Sequence, residues 1–351
     1  MAKNADLSNA KNAKKDEFYT QLEDINAEMV HYKNQFKGKT VLMNCDDPTW
    51  SNFWRYFHIE FERLGLKKII ATHYEYGEVA SYKMEYEGGN DEDFKVGVKT
   101  DLTQNGDFRS PECIELLKEA DIVVTNPPFS LFREYIALLM EYGKQFIIWG
   151  NNNAITYKDF FPLIRNNKVW LGYMCNKTCI FRVGDGYKYD SKITDSIHDG
   201  YKYGKVAAIS TFTNIDIDRK HNWIKTPYLY AKKDSLYPEL YPEFENYKCV
   251  ININRVNEIP MDYTGVMAVP ITFLGKYNPE QFKIIGSAFG NSWANDTEIL
   301  KSLGFNPNIK YGGGLGIGVL NGKGTYARLL IKRSYMEKNI PKIDHYIDEY
   351  Q

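Results

Sequence analysis

The residues best suited to chemistry are Asn126-Pro127-Pro128-Phe129, which follow the apolar run Asp121-Ile122-Val123-Val124-Thr125. Such a run reads as a buried parallel strand, and residues just past its carboxyl end stand where open α/β sheets bind ligands. Two successive prolines fix φ and restrict the residue before them, so the backbone after Asn126 is stiff. That corner can aim the Asn126 side-chain oxygen and the Pro127 carbonyl at one donor. The exocyclic amine of a nucleobase brings two N–H groups to match. Phe129 adds a flat apolar surface on which a base can stack. The same four residues also suit a purely architectural strand-to-helix turn.

Asn44-Cys45-Asp46-Asp47-Pro48 follows a second apolar run, Thr40 to Met43. It lacks the Gly-x-Gly-x-x-Gly spacing that cradles a dinucleotide pyrophosphate. Carboxylates at this edge suit a ligand bearing hydroxyls and an ammonium group, although Asp46, Asp47 or Ser51 could equally cap the following helix. Gly106-Asp107-Phe108 could clamp a planar ring with one hydrogen bond and one stack, or form a plain turn.

These sites need a scaffold. Trp50, Phe53, Trp54, Phe57, Phe61 and Leu64 recur at helical spacing, with Gly65 as the stop. Strands are expected at 40–43, 67–71, 121–125, 145–149 and 169–172, and a helix through Leu131, Tyr135, Leu138 and Leu139. Strands alternating with helices predict right-handed βαβ units, hence a doubly wound α/β domain over residues 16–180. Residues 1–15, with Lys3, Lys11, Lys14 and Lys15, read as a mobile basic arm. From 181 to 351 the regular alternation fails, and an irregular, strand-rich module is expected. Gly312-Gly313-Gly314-Leu315-Gly316-Ile317-Gly318 lacks the Gly-Lys-Ser/Thr ending of a phosphate loop and reads as a turn or hairpin.

Composition excludes several classes. The 351 residues are 43% hydrophobic and 25% charged, a globular balance that argues against general disorder. No apolar run approaches the roughly 20 residues of a membrane span, and the polar N-terminus is no secretory signal, so a cytoplasmic location is expected. A net charge of −1 means that any polyanion must be held by a local basic surface. The five cysteines read as reduced, and the six histidines show no ligand spacing, so no metal is expected.

Asp16-Glu17-Phe18-Tyr19-Thr20, the Asp46-Asp47-Pro48 edge, Gly106 to Ser110 and Asp121 to Ser130 follow one another in an order that resembles the EcoRI-type adenine-specific DNA methyltransferase family. Gly265 to Leu274 and Tyr277 to Phe282 add to the resemblance. It covers residues 14 to 285 and thins between Tyr76 and Lys99, from Cys175 to Lys205 and after Gly286.

The resemblance implies a Rossmann-like catalytic domain using S-adenosylmethionine, with motifs in the gamma order and a target-recognition module behind it. Phe18, Tyr19 and Thr20 would close over the cofactor's methionine part. Asp46, Asp47 and Pro48 would face its amino-acid end, Tyr74 or Glu75 its ribose, and Asp107 with Phe108 its adenine. Asn126, Pro127, Pro128 and Phe129 would hold an adenine flipped out of duplex DNA. The lysine arm, Arg219-Lys220-His221-Asn222 and Arg255 are candidates to contact that DNA. A monomer is expected, with a restriction endonuclease as functional companion. Asn-Pro-Pro-aromatic suits any planar amine or amide, so methylation of RNA adenine or of a protein glutamine stays open. A catalytically silent, sequence-specific DNA-binding protein is the alternative from another class.

Overall fold

The computed structural model describes residues 18–45, 47–77, 79–89, 97–183, 196–198, 200–230, 240–288, 297–309 and 316–334. The basic arm therefore lies outside the described residues, as does Asp46. The chain is a mixed α/β protein with two compact units, Met1–Ile155 with Val169–Ile217, and Thr156–Lys168 with Asp218–Gln351.

In chain order the first unit contains β1 (Phe18–Thr20), α1 (Leu22–Met29), β2 (Thr40–Met43), α2 (Asn52–Ile59), α3 (Phe61–Leu64), β3 (Lys68–Thr72), β4 (Tyr82–Tyr86) and β5 (Val98–Asp101). There follow α4 (Pro111–Glu119), β6 (Ile122–Thr125), α5 (Phe132–Glu141), β7 (Gln145–Asn151), β8 (Trp170–Leu171), β9 (Lys177–Val183), β10 (Ser196–His198) and β11 (Tyr201–Thr213). The strands form one sheet in the order β1-β9-β11-β7-β6-β2-β3-β4-β5, with β8 and β10 also paired to β11. Its centre is parallel: β7, β6, β2 and β3 run together, and every residue of β2 and β6 is buried. Apolar, β-branched runs suit strands covered on both faces.

The helices between these strands start and stop on local chemistry. The Ser51 hydroxyl accepts from the Phe53 and Trp54 amides and opens α2, whose Phe53, Trp54 and Phe57 are buried. The expected single helix breaks at Glu60 into α2 and α3, and Gly65 ends the pair at φ +62°.

The flanks differ from a uniformly alternating parallel sheet. β4 and β5 extend it antiparallel beyond β3, and β11, β9 and β1 extend it antiparallel beyond β7. The expected boundary at 180/181 thus falls inside β9, and Ala207 to Thr213 belongs to the first sheet, not to the second module. A buried strand such as β7 needs hydrogen-bond partners on both edges. β11 supplies the second edge, with a register shift between Val206 and Ile209 where Ala208 sits at φ +61°.

The second unit is built on a smaller sheet, β12 (Val250–Asn252), β13 (Val266–Pro270), β17 (Arg328–Arg333) and β14 (Phe282–Ser287) in that spatial order. It adds α6 (Phe161–Arg165), α7 (Thr297–Ser302) and the two-stranded ladder of β15 (Val319–Leu320) and β16 (Lys323–Gly324). The described end of the glycine-rich stretch leads into that ladder. Asn246 fastens it by donating to the Ile317 carbonyl at 2.7 Å and accepting from the Val319 amide at 2.9 Å. Gly312 to Gly314 lie outside the described residues. The five cysteines are free thiols, and no described helix is long and apolar enough to cross a membrane.

One buried carboxylate ties α1 to the turn after β8. Glu28 on α1 is 1% exposed; it accepts from the Tyr32 hydroxyl at 2.8 Å, the Tyr173 amide at 2.9 Å and the Met174 amide at 2.6 Å. Removing it leaves two buried donors and one part-buried donor unmet, each buried one costing about 1–3 kcal/mol. Glu28→Ala should therefore lower unfolding free energy in urea by on the order of 3 kcal/mol. A loss below about 1 kcal/mol would show that the clamp matters little.

Candidate active site

From β2 the chain moves outward to β3, and from β6 it moves the opposite way to β7, although β2 and β6 are parallel neighbours. The carboxyl ends of these two strands therefore flank a topological switch point, where a crevice opens at the sheet edge. Asn44 follows β2 and Asn126 follows β6, both buried. The Tyr135 hydroxyl of α5 donates to Asn44 Oδ1. Burial pushes that phenol well up, so it stays a neutral donor.

β1 lies against this edge. Asn126 Nδ2 donates to the Phe18 carbonyl at 2.7 Å and to Thr20 Oγ1 at 3.3 Å. Asn52 Nδ2, at the start of α2, donates to the Thr20 carbonyl at 2.8 Å. Thus β1 ties the segment after β6 to the segment after β2. Asn126 is 4% exposed, and with its amide nitrogen spoken for, its Oδ1 has no partner among the described residues; nor has the neighbouring Thr125 Oγ1. Buried polar atoms are almost always paired, so an orphan acceptor at a ligand-binding edge points to a donor from outside. Pro127 is buried, and Pro128 and Phe129 are half-buried. The Phe129 ring stacks on Phe18, centroids 5.2 Å apart.

Next to this corner the edge is acidic. Asp47 Oδ1 accepts from the Thr49 amide at 2.9 Å, the Thr49 hydroxyl at 2.7 Å and the Tyr82 hydroxyl at 2.7 Å. His73, just past β3, stands between Asp47 and Glu75, its Nδ1 3.4 Å from Asp47 Oδ2 and its Nε2 3.2 Å from Glu75 Oε2. Tyr74 between them is exposed. The Glu75 amide donates to the Asn105 carbonyl at 2.8 Å, which draws the 104–107 turn to the same place. There Asp107 takes a two-pronged ion pair from Arg109, at 2.8 and 2.6 Å, and this bonding holds its carboxyl below the usual range. Phe108 is buried edge-on against Tyr135 at 5.0 Å.

Known proteins resemble this chain along nearly its whole length. The family described as "Adenine-specific methyltransferase EcoRI" matches residues 6–334. The chain belongs to that family. It is an adenine-specific DNA methyltransferase. Among curated relatives, the type II methyltransferase M.MpnI of Mycoplasma pneumoniae is 40% identical over 330 residues, covering 93% of this chain and 98% of its own. M.EcoRI of Escherichia coli is 39% identical over 353 residues, with 96% of this chain and all of the relative covered. M.MgeORF184P of Mycoplasma genitalium is 38% identical over 329 residues, covering 93% and 98%. No solved structure gives a significant match.

Within this methyltransferase the structure gathers Phe18, Thr20, Asp47, Glu75 and Asn126 along the ends of β2, β3 and β6, with β1 beside them; Asp107 and Phe108 stand on the adjoining turn. Pro48 is buried just after Asp47. Arg219, Lys220, His221, Asn222 and Arg255 belong instead to the second unit. The first three form a short helical turn, with His221 Nδ1 3.2 Å from Glu280. Arg255 is largely exposed, 3.9 Å from Glu258. Two residues escape the sequence reading. His73 sits one position past a strand end, and Tyr135 was visible only as part of an apolar helix face. A buried tyrosine there should have raised the question of where its hydroxyl finds a partner.

Gly106 carries the docking of the Asp107 turn. Its φ is +77°, and a Cβ there would stand 1.9 Å from the His73 carbonyl oxygen. Gly106→Ala should cost more than about 1 kcal/mol, read as a lower urea midpoint at unchanged slope. An unchanged midpoint would mean that the turn does not hold this place.

Proposed function

We propose that this protein transfers a methyl group from S-adenosylmethionine to the 6-amino nitrogen of an adenine turned out of duplex DNA, with Asn126 as the group that grips the amine. The observation that carries this reading is the unpartnered Asn126 Oδ1, buried at the switch point while its own Nδ2 is held by Phe18 and Thr20. That fastening leaves the oxygen as the atom available to a substrate donor.

The 6-amino nitrogen is conjugated with its ring and is a weak nucleophile. Accepting one of its N–H bonds at Asn126 Oδ1, and the second at the Pro127 carbonyl, draws the lone pair out of conjugation and toward the incoming methyl. No strong base is required, because the nitrogen turns acidic only as the new bond forms, and the proton it then loses passes to solvent. The stiff Pro127-Pro128 corner keeps the acceptors in place, so the rate comes from orientation and from dipoles set before reaction. Phe129, braced from one side by Phe18, offers ring surface to the base. A base paired inside a duplex cannot reach these atoms, hence the extrusion.

The donor set next to Asn126 fits the cofactor. Asp47 and Glu75, linked through His73, are carboxylates suited to an ammonium group and to ribose hydroxyls. Asp46, Asp47 and Pro48 hold the amino-acid end and Phe18, Tyr19 and Thr20 close over it. Glu75, with its carboxylate on the His73 side, is the ribose partner in preference to Tyr74. Asp107, kept ionised by Arg109, and Phe108 serve the adenine ring. When bound, the cofactor supplies an electrophilic methyl on a sulfonium.

In this reading the first unit is a Rossmann-like catalytic domain and the second a target-recognition module, with Arg219, Lys220, His221, Asn222 and Arg255 contacting DNA. The curated relatives are named type II methyltransferases, which supports a place in a restriction–modification system, with the enzyme acting in the cytoplasm as a monomer and an endonuclease as its counterpart.

Asn126→Ala should lower single-turnover methyl transfer by about 10²–10³-fold, in line with loss of one preorganised polar contact. Cofactor affinity by calorimetry should stay near wild type. Thr20→Val, which removes one of the two acceptors fixing Asn126, should lower the rate by less. Wild-type transfer by Asn126→Ala would remove Asn126 from the site.

A further inference from the structure

The outward face of β1, β9 and β11 holds a cluster that the catalytic reading leaves unused. Along these strands inward residues such as Phe18, Phe181 and Val183 are buried, and the alternate positions Tyr19, Ile180, Arg182, Tyr201, Tyr203 and Lys205 share the other face. At its centre the Arg182 guanidinium lies 3.4 Å from the Tyr201 ring centroid and 4.3 Å from that of Trp50, which reaches over from the turn after β2. Trp50 and Tyr201 meet edge-on at 6.0 Å and are 48% and 37% exposed.

Three aromatic rings, with Tyr19 the farthest at 5.9 Å, therefore surround this cation, yet no described residue accepts a hydrogen bond from its five N–H groups or pairs with its charge. A guanidinium held against rings and without a protein acceptor keeps N–H groups that can bind a phosphate in two-pronged fashion. Lys205, exposed on the same face, likewise has no carboxylate partner among the described residues. The place is telling. Arg182 pairs in register with Tyr19, flanked on β1 by Phe18 and Thr20, the two residues that hold Asn126. Asn52 ties the Trp50 turn to the same strand.

We infer that this face receives the backbone of the DNA strand bearing the target adenine, with Arg182 clamping a phosphate close to the extruded nucleotide and Lys205 meeting another farther along. The inference rests on Asn126 as the grip for the base, because it is Asn126 that brings that strand to β1. Duplex DNA is the occupant favoured here because two cations without a carboxylate partner among the described residues stand on one face, and their charge is complementary to a polyanion. Holding the guanidinium against these rings in advance reduces the ordering cost of the contact.

The test is binding of labelled duplex to full-length protein by anisotropy, titrated across salt from about 50 to about 200 mM. Arg182→Ala should weaken binding about tenfold and make the slope of log affinity against log salt shallower by about 0.9, the signature of one lost phosphate contact. Lys205→Ala should shift the slope in the same direction. Trp50→Ala, which frees the guanidinium while keeping its charge, should weaken binding with the slope nearly unchanged. Cofactor affinity should stay at the wild-type value in all three. Wild-type affinity and slope in Arg182→Ala and Lys205→Ala would overturn the inference. Should Arg182→Ala fold poorly, the exposed Lys205 and Trp50 variants decide it alone. Failure of the underlying reading looks different, as wild-type methyl transfer by Asn126→Ala while Arg182→Ala still weakens duplex binding.

Discussion

The whole arrangement turns on how one side-chain amide is divided. Asn126 gives its nitrogen to β1, through the Phe18 carbonyl and Thr20 hydroxyl, and is left with a buried oxygen that nothing in the described protein satisfies. An unmet buried acceptor costs about 1–3 kcal/mol. A fold keeps such a cost where a partner arrives from outside, and the site lies at the switch point between β2 and β6, where parallel sheets open to ligands. The two prolines that follow prevent the corner from relaxing to bury the oxygen against its own chain.

Other features of the first unit serve that one contact. β1 reaches Asn126 because it pairs with β9, because Asn52 holds its Thr20 carbonyl, and because Glu28 clamps the helix that follows it to the turn after β8. Loops after β2, β3 and β5 meet at His73, which stands between Asp47 and Glu75 while its carbonyl lies against Gly106. Polar groups from distant parts of the sequence are thereby fixed to rigid strand ends, which in the proposed reading sets orientation before any ligand arrives.

The parallel centre of the sheet was legible from sequence because buried strands are written as uninterrupted apolar runs. Thr40 to Met43, Ile122 to Thr125 and Gln145 to Trp149 could hardly be anything else, and Asn126 follows one of them directly. The antiparallel flanks were not legible. β4, β9 and β11 alternate polar with apolar residues, and their tyrosines, lysines and glycines resemble a loop-rich module when pairing partners are unknown. β11 shows the difficulty most plainly: its register shift at Ala208 breaks the period of two midway, and its partner β7 lies about 60 residues back in sequence, beyond the reach of local pattern. His73 and Tyr135 were hidden for a related reason, as their importance comes from side chains that meet them across the sheet edge.

The most direct test of the central claim couples the Asn126 side chain to the amine it is held to grip. Duplexes carrying the site, mapped from DNA of cells expressing the protein, would be made with adenine or with purine, which lacks the 6-amino group, at the target position. Their affinities for wild type and for Asn126→Ala form a double-mutant cycle. The account predicts that the preference for adenine over purine is roughly fivefold to tenfold greater in wild type than in Asn126→Ala, the worth of one or two buried hydrogen bonds. An equal preference in both proteins would contradict it.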